Sequence, residues 1–232
     1  MLVTGIKSKP VYAPLQADTR GRYHLMLGMG VGAAPLLRVI AEMGAAAPQG
    51  LKNTQVLFVP DAAAAPGEAT LPGAAPAGAT SAGATHAGAT HAGATAAVER
   101  FRAAVGNVKA FPTTPALLGE FRSTLEKSLM GTRLYVAGPE SFIGLVMKIA
   151  LEFNLNKDEI RAEECGTLAR RVYCIHCRAT TENVRTNIVR CVGCDRWLLV
   201  RDHYSRRLAA YMGVMADAEA PGELPPLKEV FL

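Results

Sequence analysis

Apolar residues along this chain fall into short unbroken runs and helical stripes, in alternation. Residues 23–27 form a run of the first kind. The glycine-rich stretch Gly28-Met-Gly-Val-Gly32-Ala-Ala-Pro35 leads from it into 36–43, where apolar side chains recur with helical spacing. Residues 55–59 are a second run, ending at Pro60-Asp61. Residues 98–105 predict a helix and 107–111 a third short strand, broken by Pro112 and Pro115. Across 116–129, Leu117, Leu118, Phe121, Leu125 and Leu129 share one helical face, the stripe of a core-facing helix. Residues 133–137, 141–153 and 159–163 complete the series as strand, helix and strand. Strands and helices alternating at this spacing predict an α/β fold, a parallel five-stranded sheet covered by helices on both faces.

The alternation fails elsewhere. Residues 1–22, with Pro10 and Pro14, read as an extended N-terminal arm ahead of an α/β domain at 23–165. Residues 62–97 collapse to Ala, Gly, Thr and Pro, with Ala-Gly-Ala-Thr starting at Ala77, Ala82, Ala87 and Ala92. With almost no charge and almost no large apolar side chain, this stretch cannot offset its own ordering entropy, so a flexible insertion is expected. His86 and His91 ride on that repeat. A small module follows at 166–213, then a proline-rich tail, 214–232, of the kind that docks on a neighbour. Within the module 203–212 predicts a helix, capped by Asp202 and presenting Arg206 and Arg207 beside Tyr204, Leu208 and Tyr211.

The module's chemistry is carried by Cys174-Ile-His-Cys177 and Cys191-Val-Gly-Cys194. Two thiolates separated by two residues bite one ion from a tight turn, and the second pair completes a tetrahedron. The intervening run suits a short hairpin that returns the chain to the metal, giving a small β zinc ribbon. A closed set of four thiolates suits zinc, which asks nothing of redox state; a rubredoxin-like iron site uses the same four ligands. His176 and His203 are unnecessary to a complete set, and Cys165 is left over. Cysteines paired for metal fit a reducing cytoplasm.

Half of the 232 residues are apolar and 19% are charged. The N-terminus carries no signal-peptide pattern, and no apolar run reaches membrane-spanning length, so no membrane partner is expected. The net charge of +5 is concentrated: residues 166–212 hold nine arginines against three acidic residues. Such a face meets an acidic partner or nucleic acid. The module has no lysine between Gly166 and Met212, and its only aromatics are Tyr173, Trp197, Tyr204 and Tyr211. That departs from the lysine and aromatic interleaving of nucleic-acid tracks, so nucleic acid is not the expected partner.

A strand emptying into glycines and then a helix can hold a phosphate, because glycine lets the backbone approach and the helix start supplies free N–H groups. The same arrangement also serves as a tight turn without a ligand. Gly30-Val-Gly32-Ala-Ala-Pro35, together with Tyr135-Val-Ala-Gly138-Pro139-Glu140-Ser-Phe142, resembles the Rossmann-like NAD(P)-binding domain of ferredoxin reductase-like flavoproteins, in the phthalate dioxygenase reductase branch. The resemblance implies that Gly28, Gly30, Gly32 and Ala33 cradle a pyrophosphate and that Gly138, Pro139 and Glu140 face the nicotinamide. Asp61, at the end of the second run, would either hold a ribose hydroxyl or stand as an exposed loop aspartate. Ala34 stands where the family has threonine and Ala137 where it has cysteine. The residues ahead of Tyr23 are too few for the family's flavin-binding barrel, so flavin is expected on another subunit.

The tail of the module sharpens the match. Trp197-Leu-Leu-Val-Arg-Asp-His-Tyr-Ser-Arg-Arg-Leu-Ala-Ala-Tyr-Met-Gly213, with Cys177-Arg-Ala-Thr-Thr-Glu-Asn-Val and Thr186-Asn-Ile-Val-Arg-Cys191, is similar to the small DmmA-type subunit of bacterial dimethylamine monooxygenase. The resemblance implies work in a complex that uses NADPH and oxygen to convert dimethylamine to methylamine and formaldehyde. Flavin, iron–sulfur and haem would lie on partner subunits, the reductase and oxygenase components. No nucleophile–base constellation stands out, so no catalytic residue is assigned to this chain.

Overall fold

The computed structural model describes residues 8–46, 48–60 and 86–232, with the side chains of 86–94 left aside. Asp61 and the repeat up to residue 85 lie outside the described residues.

The first sheet is built from the expected apolar runs: β1 (Tyr23–Met29), β2 (Thr54–Val59), β3 (Val108–Ala110), β4 (Thr132–Gly138) and β5 (Ile160–Glu164). They lie in the order β3-β2-β1-β4-β5, every pairing parallel. The central strands are buried on both faces, which is why they read as continuous apolar runs rather than as alternation. The strand's two-residue period divides their side chains between two cores. Leu25, Leu27, Leu57, Leu134 and Val136 meet α4 (Thr114–Leu125) and α5 (Glu140–Glu152) through Leu117, Phe121, Ile143 and Val146. Met26, Val56, Phe58 and Tyr135 meet α1 (Ala33–Ala46) and α3 (His86–Val105) through Leu36, Val39, Ile40 and Phe101. A short α2 (Pro48–Lys52), absent from the apolar pattern, links α1 to β2.

Two boundaries differ from expectation. Helix α4 stops at Leu125, capped at its start by the Thr113 hydroxyl, and Leu129 beyond it is 60% exposed. Part of the expected flexible insertion, 86–97, is helical: it forms the first turns of α3, which Val98 and Phe101 anchor in the core. Once that anchored segment supplies a nucleus, adding alanine-rich turns costs only propagation, and alanine propagates best.

The second sheet contains β6 (Arg170–Cys174), β7 (Thr180–Val184), β8 (Ile188–Arg190), β9 (Trp197–Ser205) and β10 (Ala210–Met215) in the order β7-β6-β10-β9-β8. The helix expected at 203–212 does not form. Those residues are the end of β9, a turn and the start of β10, which pairs antiparallel with β9 and parallel with β6. Asp202 caps nothing; it pairs with Arg170 at 2.7 Å. The sequence here is rich in helix formers, but β10 is the central strand of the sheet, and burying it between two neighbours outweighs local propensity. Tyr204 and Tyr211 sit opposite each other with rings edge-on at 5.1 Å.

Both ends of the described chain pack on this molecule. The tail lies along its own second sheet: the Val230 N–H donates to the Arg185 carbonyl, and the Arg170 guanidinium is stacked between the Tyr211 and Phe231 rings at 3.9 and 3.8 Å. The N-terminal arm bridges the sheets. Ser8 exchanges backbone hydrogen bonds with β9 at Asp202 and Tyr204. Farther on, the Leu15 N–H donates to Glu163 and the Asp18 N–H to the Tyr135 hydroxyl. Among the described residues no helix is long and apolar enough to cross a membrane.

Candidate metal centre and glycine crevice

The two C-x-x-C turns are folded alike. In each, the residue after the second cysteine has left-handed backbone, Arg178 at φ 67° and Asp195 at φ 55°. Each of these residues donates its N–H back to the carbonyl of the first cysteine, Arg178 to Cys174 at 2.9 Å and Asp195 to Cys191 at 3.0 Å. The next residue along accepts from that same cysteine, Cys174 N–H to Ala179 and Cys191 N–H to Arg196, both at 2.9 Å. The repeated geometry turns all four sulfurs inward, and the Sγ atoms of Cys174, Cys177, Cys191 and Cys194 lie within 4.8 Å of one another.

Space and charge both suit a bound cation. A Cβ on Gly193 would stand 2.6 Å from Ala179 Cβ and 3.0 Å from Cys177 Sγ, so only glycine lets the second turn close on the first. The Cys194 thiol is drawn down to about 6, first by the Arg196 backbone N–H. At Cys177 the Ala179 N–H favours the thiolate, but burial and the surrounding thiols hold it up at about 12. Four sulfurs this close cannot all ionise together without a cation between them. The donor set is four thiols that could hold one tetrahedral ion. Cys165 lies apart, its thiol pushed up to about 11 by burial. His176 Nδ1 accepts from the Arg196 guanidinium at 2.7 Å, and Ile175 and Val192, one inside each cysteine turn, project into solvent at 53% and 70% exposure.

The glycine loop and the Gly-Pro turn converge at the place where strand order reverses, between the carboxyl ends of β1 and β4. A Cβ on Gly32 would lie 2.2 Å from the Ala137 carbonyl oxygen, so α1 starts this close to β4 only because that residue is glycine. Gly28 is a packing residue, its missing side chain filled by Leu36 and Phe58. Gly30, at φ +53°, has open space where a side chain would point, and Ala33 is buried as the first residue of α1. The chain leaving β5 crosses this place: the Cys165 N–H donates to the Gly138 carbonyl, and a Cβ on Gly166 would contact Val31 and Pro139.

Glu140 stands differently from the other crevice residues. It opens α5 but is buried to 4% exposure at the junction of the two sheets, and neither carboxylate oxygen has a hydrogen bond of good geometry. Burial raises its carboxyl to about 7; the Tyr204 hydroxyl of β9 beside it pulls the other way. The position of Tyr204 depends on Gly144, where a Cβ would come within 2.2 Å of its hydroxyl. Gly193, Gly144 and this buried carboxyl carry no signal in the apolar pattern, because each acquires its role from a residue distant in sequence.

Family models match both parts of the chain. The N-terminal domain of dimethylamine monooxygenase subunit DmmA-like proteins matches residues 4–100 and 84–160, and the C-terminal domain of the same proteins matches 171–214. A curated relative, the heme-dependent oxidative N-demethylase delta subunit of Ectopseudomonas mendocina (strain ymp), is 34% identical over 111 residues. The match takes in 48% of this chain and spans 63% of the relative's length. Among solved structures, phthalate dioxygenase reductase aligns with a TM-score of 0.39 at 16% identity, covering 76% of this chain and 46% of that one. The flavohem-like FAD/NAD-binding domain of Vibrio cholerae nitric oxide dioxygenase aligns at 0.38 and 16%, covering 68% and 56%.

Proposed function

Because the chain belongs to the DmmA-like family of dimethylamine monooxygenase subunits, we propose that it is a structural subunit of a multi-component oxidative N-demethylase. The reaction takes dimethylamine, oxygen, NADPH and a proton, and yields methylamine, formaldehyde, water and NADP⁺. Flavin, iron–sulfur and haem groups belong to the partner reductase and oxygenase subunits in this reading. The observation that carries it is the match of one family's models to both the α/β part and the cysteine module, in order and along most of the chain.

In this role Cys174, Cys177, Cys191 and Cys194 hold one zinc ion, which closes the second sheet and supplies no redox chemistry. Gly30 and the neighbouring start of α1 are the places where a dinucleotide phosphate would approach, supported by the open space in front of Gly30. The buried position of Glu140 argues against its contacting a nicotinamide and for a part in joining the sheets. The chain works inside the cell, where thiols stay reduced.

Elemental analysis and an absorption spectrum of the chain, purified away from its partners, test the metal. Zinc at one per chain with no iron–thiolate bands is the expected result; one iron with charge-transfer bands would place the module in the electron path. Deleting the gene in a host that demethylates dimethylamine tests the assignment to the complex. Demethylation should be lost, and its persistence would refute the role.

A further inference from the structure

Between the two sheets lies a cavity of about 340 Å³, within the size range of small-molecule sites. Residues 10–15 of the N-terminal arm cross it as a strap, tied down at Ser8 by β9 and at Leu15 by Glu163. Met147 and Leu151 of α5 and Ile160 and Ala162 of β5 form an apolar wall opposite the strap. Tyr12 from the strap and Tyr204 from β9 contribute two aromatic rings. No acidic side chain lines the cavity, whereas Lys157, Arg161 and Arg206 all do. Arg161 reaches Asp18 at 3.5 Å; Lys157 and Arg206 are exposed and make no ion pair among the described residues.

We propose that this cavity binds a small organic anion with an apolar, ring-sized body. The body would lie between the strap and α5, against the tyrosine rings, and the anionic group would reach Lys157 or Arg206. Cationic side chains without acidic partners are already arranged for that charge, so binding does not first require breaking ion pairs. The floor is held in shape by Gly144, since any larger residue there would displace the Tyr204 hydroxyl. Neither Gly32 nor Gly138 borders the cavity, so this site is distinct from the glycine loop, while its floor residues Gly144 and Tyr204 stand against the buried Glu140. It is independent of the metal and of any nucleotide.

The test uses 1-anilinonaphthalene-8-sulfonate, an apolar ring system with one sulfonate, titrated into the metal-loaded full chain. Saturable fluorescence gain at one site per chain is expected. The uncharged analogue N-phenyl-1-naphthylamine should bind at least about tenfold more weakly, the scale of one charge contact near a protein surface. The double reversal Lys157→Glu/Arg206→Glu should weaken the sulfonate probe by a similar factor while leaving the unfolding midpoint and metal content in place. Met147→Trp, which fills the apolar wall, should remove the site. Equal binding of charged and neutral probes, binding that never saturates, or a double reversal without effect would each overturn the proposal. A double reversal that spares probe binding but loses the partner subunits would make this face a docking surface instead, and the proposal would fall.

Discussion

At the scale of single residues, the cysteine quartet is the most local feature, and it was legible because two C-x-x-C turns specify their own geometry. The glycine that lets them meet was not, since the need for Gly193 arises from Ala179 and Cys177 on the other turn. Gly193→Val should cost at least about tenfold in metal affinity through displaced ligands, measured by competition with a chromogenic chelator. Glu140 was legible only as part of a Gly-Pro-Glu turn, where resemblance assigned it to a nicotinamide; its burial comes from Tyr204, which no local pattern reveals. A carboxyl raised to about 7 from its ordinary 4.5 binds its proton more tightly in the folded state. Its favourable contribution is therefore complete below pH 4.5 and lost as pH rises through 7, a swing on the order of 3 kcal/mol. Glu140→Gln should accordingly stabilise the protein at pH 8, by up to about 3 kcal/mol, and change little at pH 4.5. Urea midpoints at the two pH values decide it, and a gain of equal size at both would show that the carboxyl does not titrate in this range.

At the scale of elements, the parallel sheet was readable because each central strand is buried on both faces and leaves an unbroken apolar run. The helices α1, α4 and α5 were readable from their stripes. The hairpin of β9 and β10 was not. Its arginines, leucine and alanines favour a helix, and the partner that overrules them, β6, lies far back in the chain. The period-two burial that identifies β9 is visible once the sheet exists: buried Leu198, Val200 and Tyr204 alternate with more open neighbours. Gly213 is the close-contact position of this element, where a Cβ would meet Val172 at 2.7 Å and Leu198 at 3.0 Å. The Gly213 carbonyl also accepts the Ile175 N–H of the first cysteine turn. Gly213→Val should therefore destabilise the chain by about 1–3 kcal/mol through overpacking, and loosen the metal as well. Calorimetry and a zinc-release assay on one variant would read both, and a variant that melts early yet holds its metal unchanged would separate the strand from the site.

At the scale of the whole molecule, two sheets of different character share one chain. The first is held by apolar cores on both faces, and the second has a smaller core in which the cysteine turns take part. The chain's single tryptophan, Trp197, begins β9 and carries the Arg190 guanidinium over its ring at 4.9 Å, so its fluorescence reports on the second sheet alone. Stripping the metal with a strong chelator should shift that emission to the red while most of the helical circular dichroism persists. Unchanged emission would mean that the sheet stands without its ion. The overall division into an α/β part and a cysteine module was legible from patterning; the tail, expected to dock on a neighbour, instead lies on this molecule, as does the extended arm, because unpaired strand edges and the stacked Arg170 offered partners closer at hand. The tether at Ser8 has a consequence for how the protein is made. Its partner Tyr204 stands 196 positions along, so Ser8 leaves the ribosome long before the strand that receives it. The parallel first sheet can form during synthesis, but the strap can settle only after β9 has emerged, which makes it one of the last contacts a newborn chain completes.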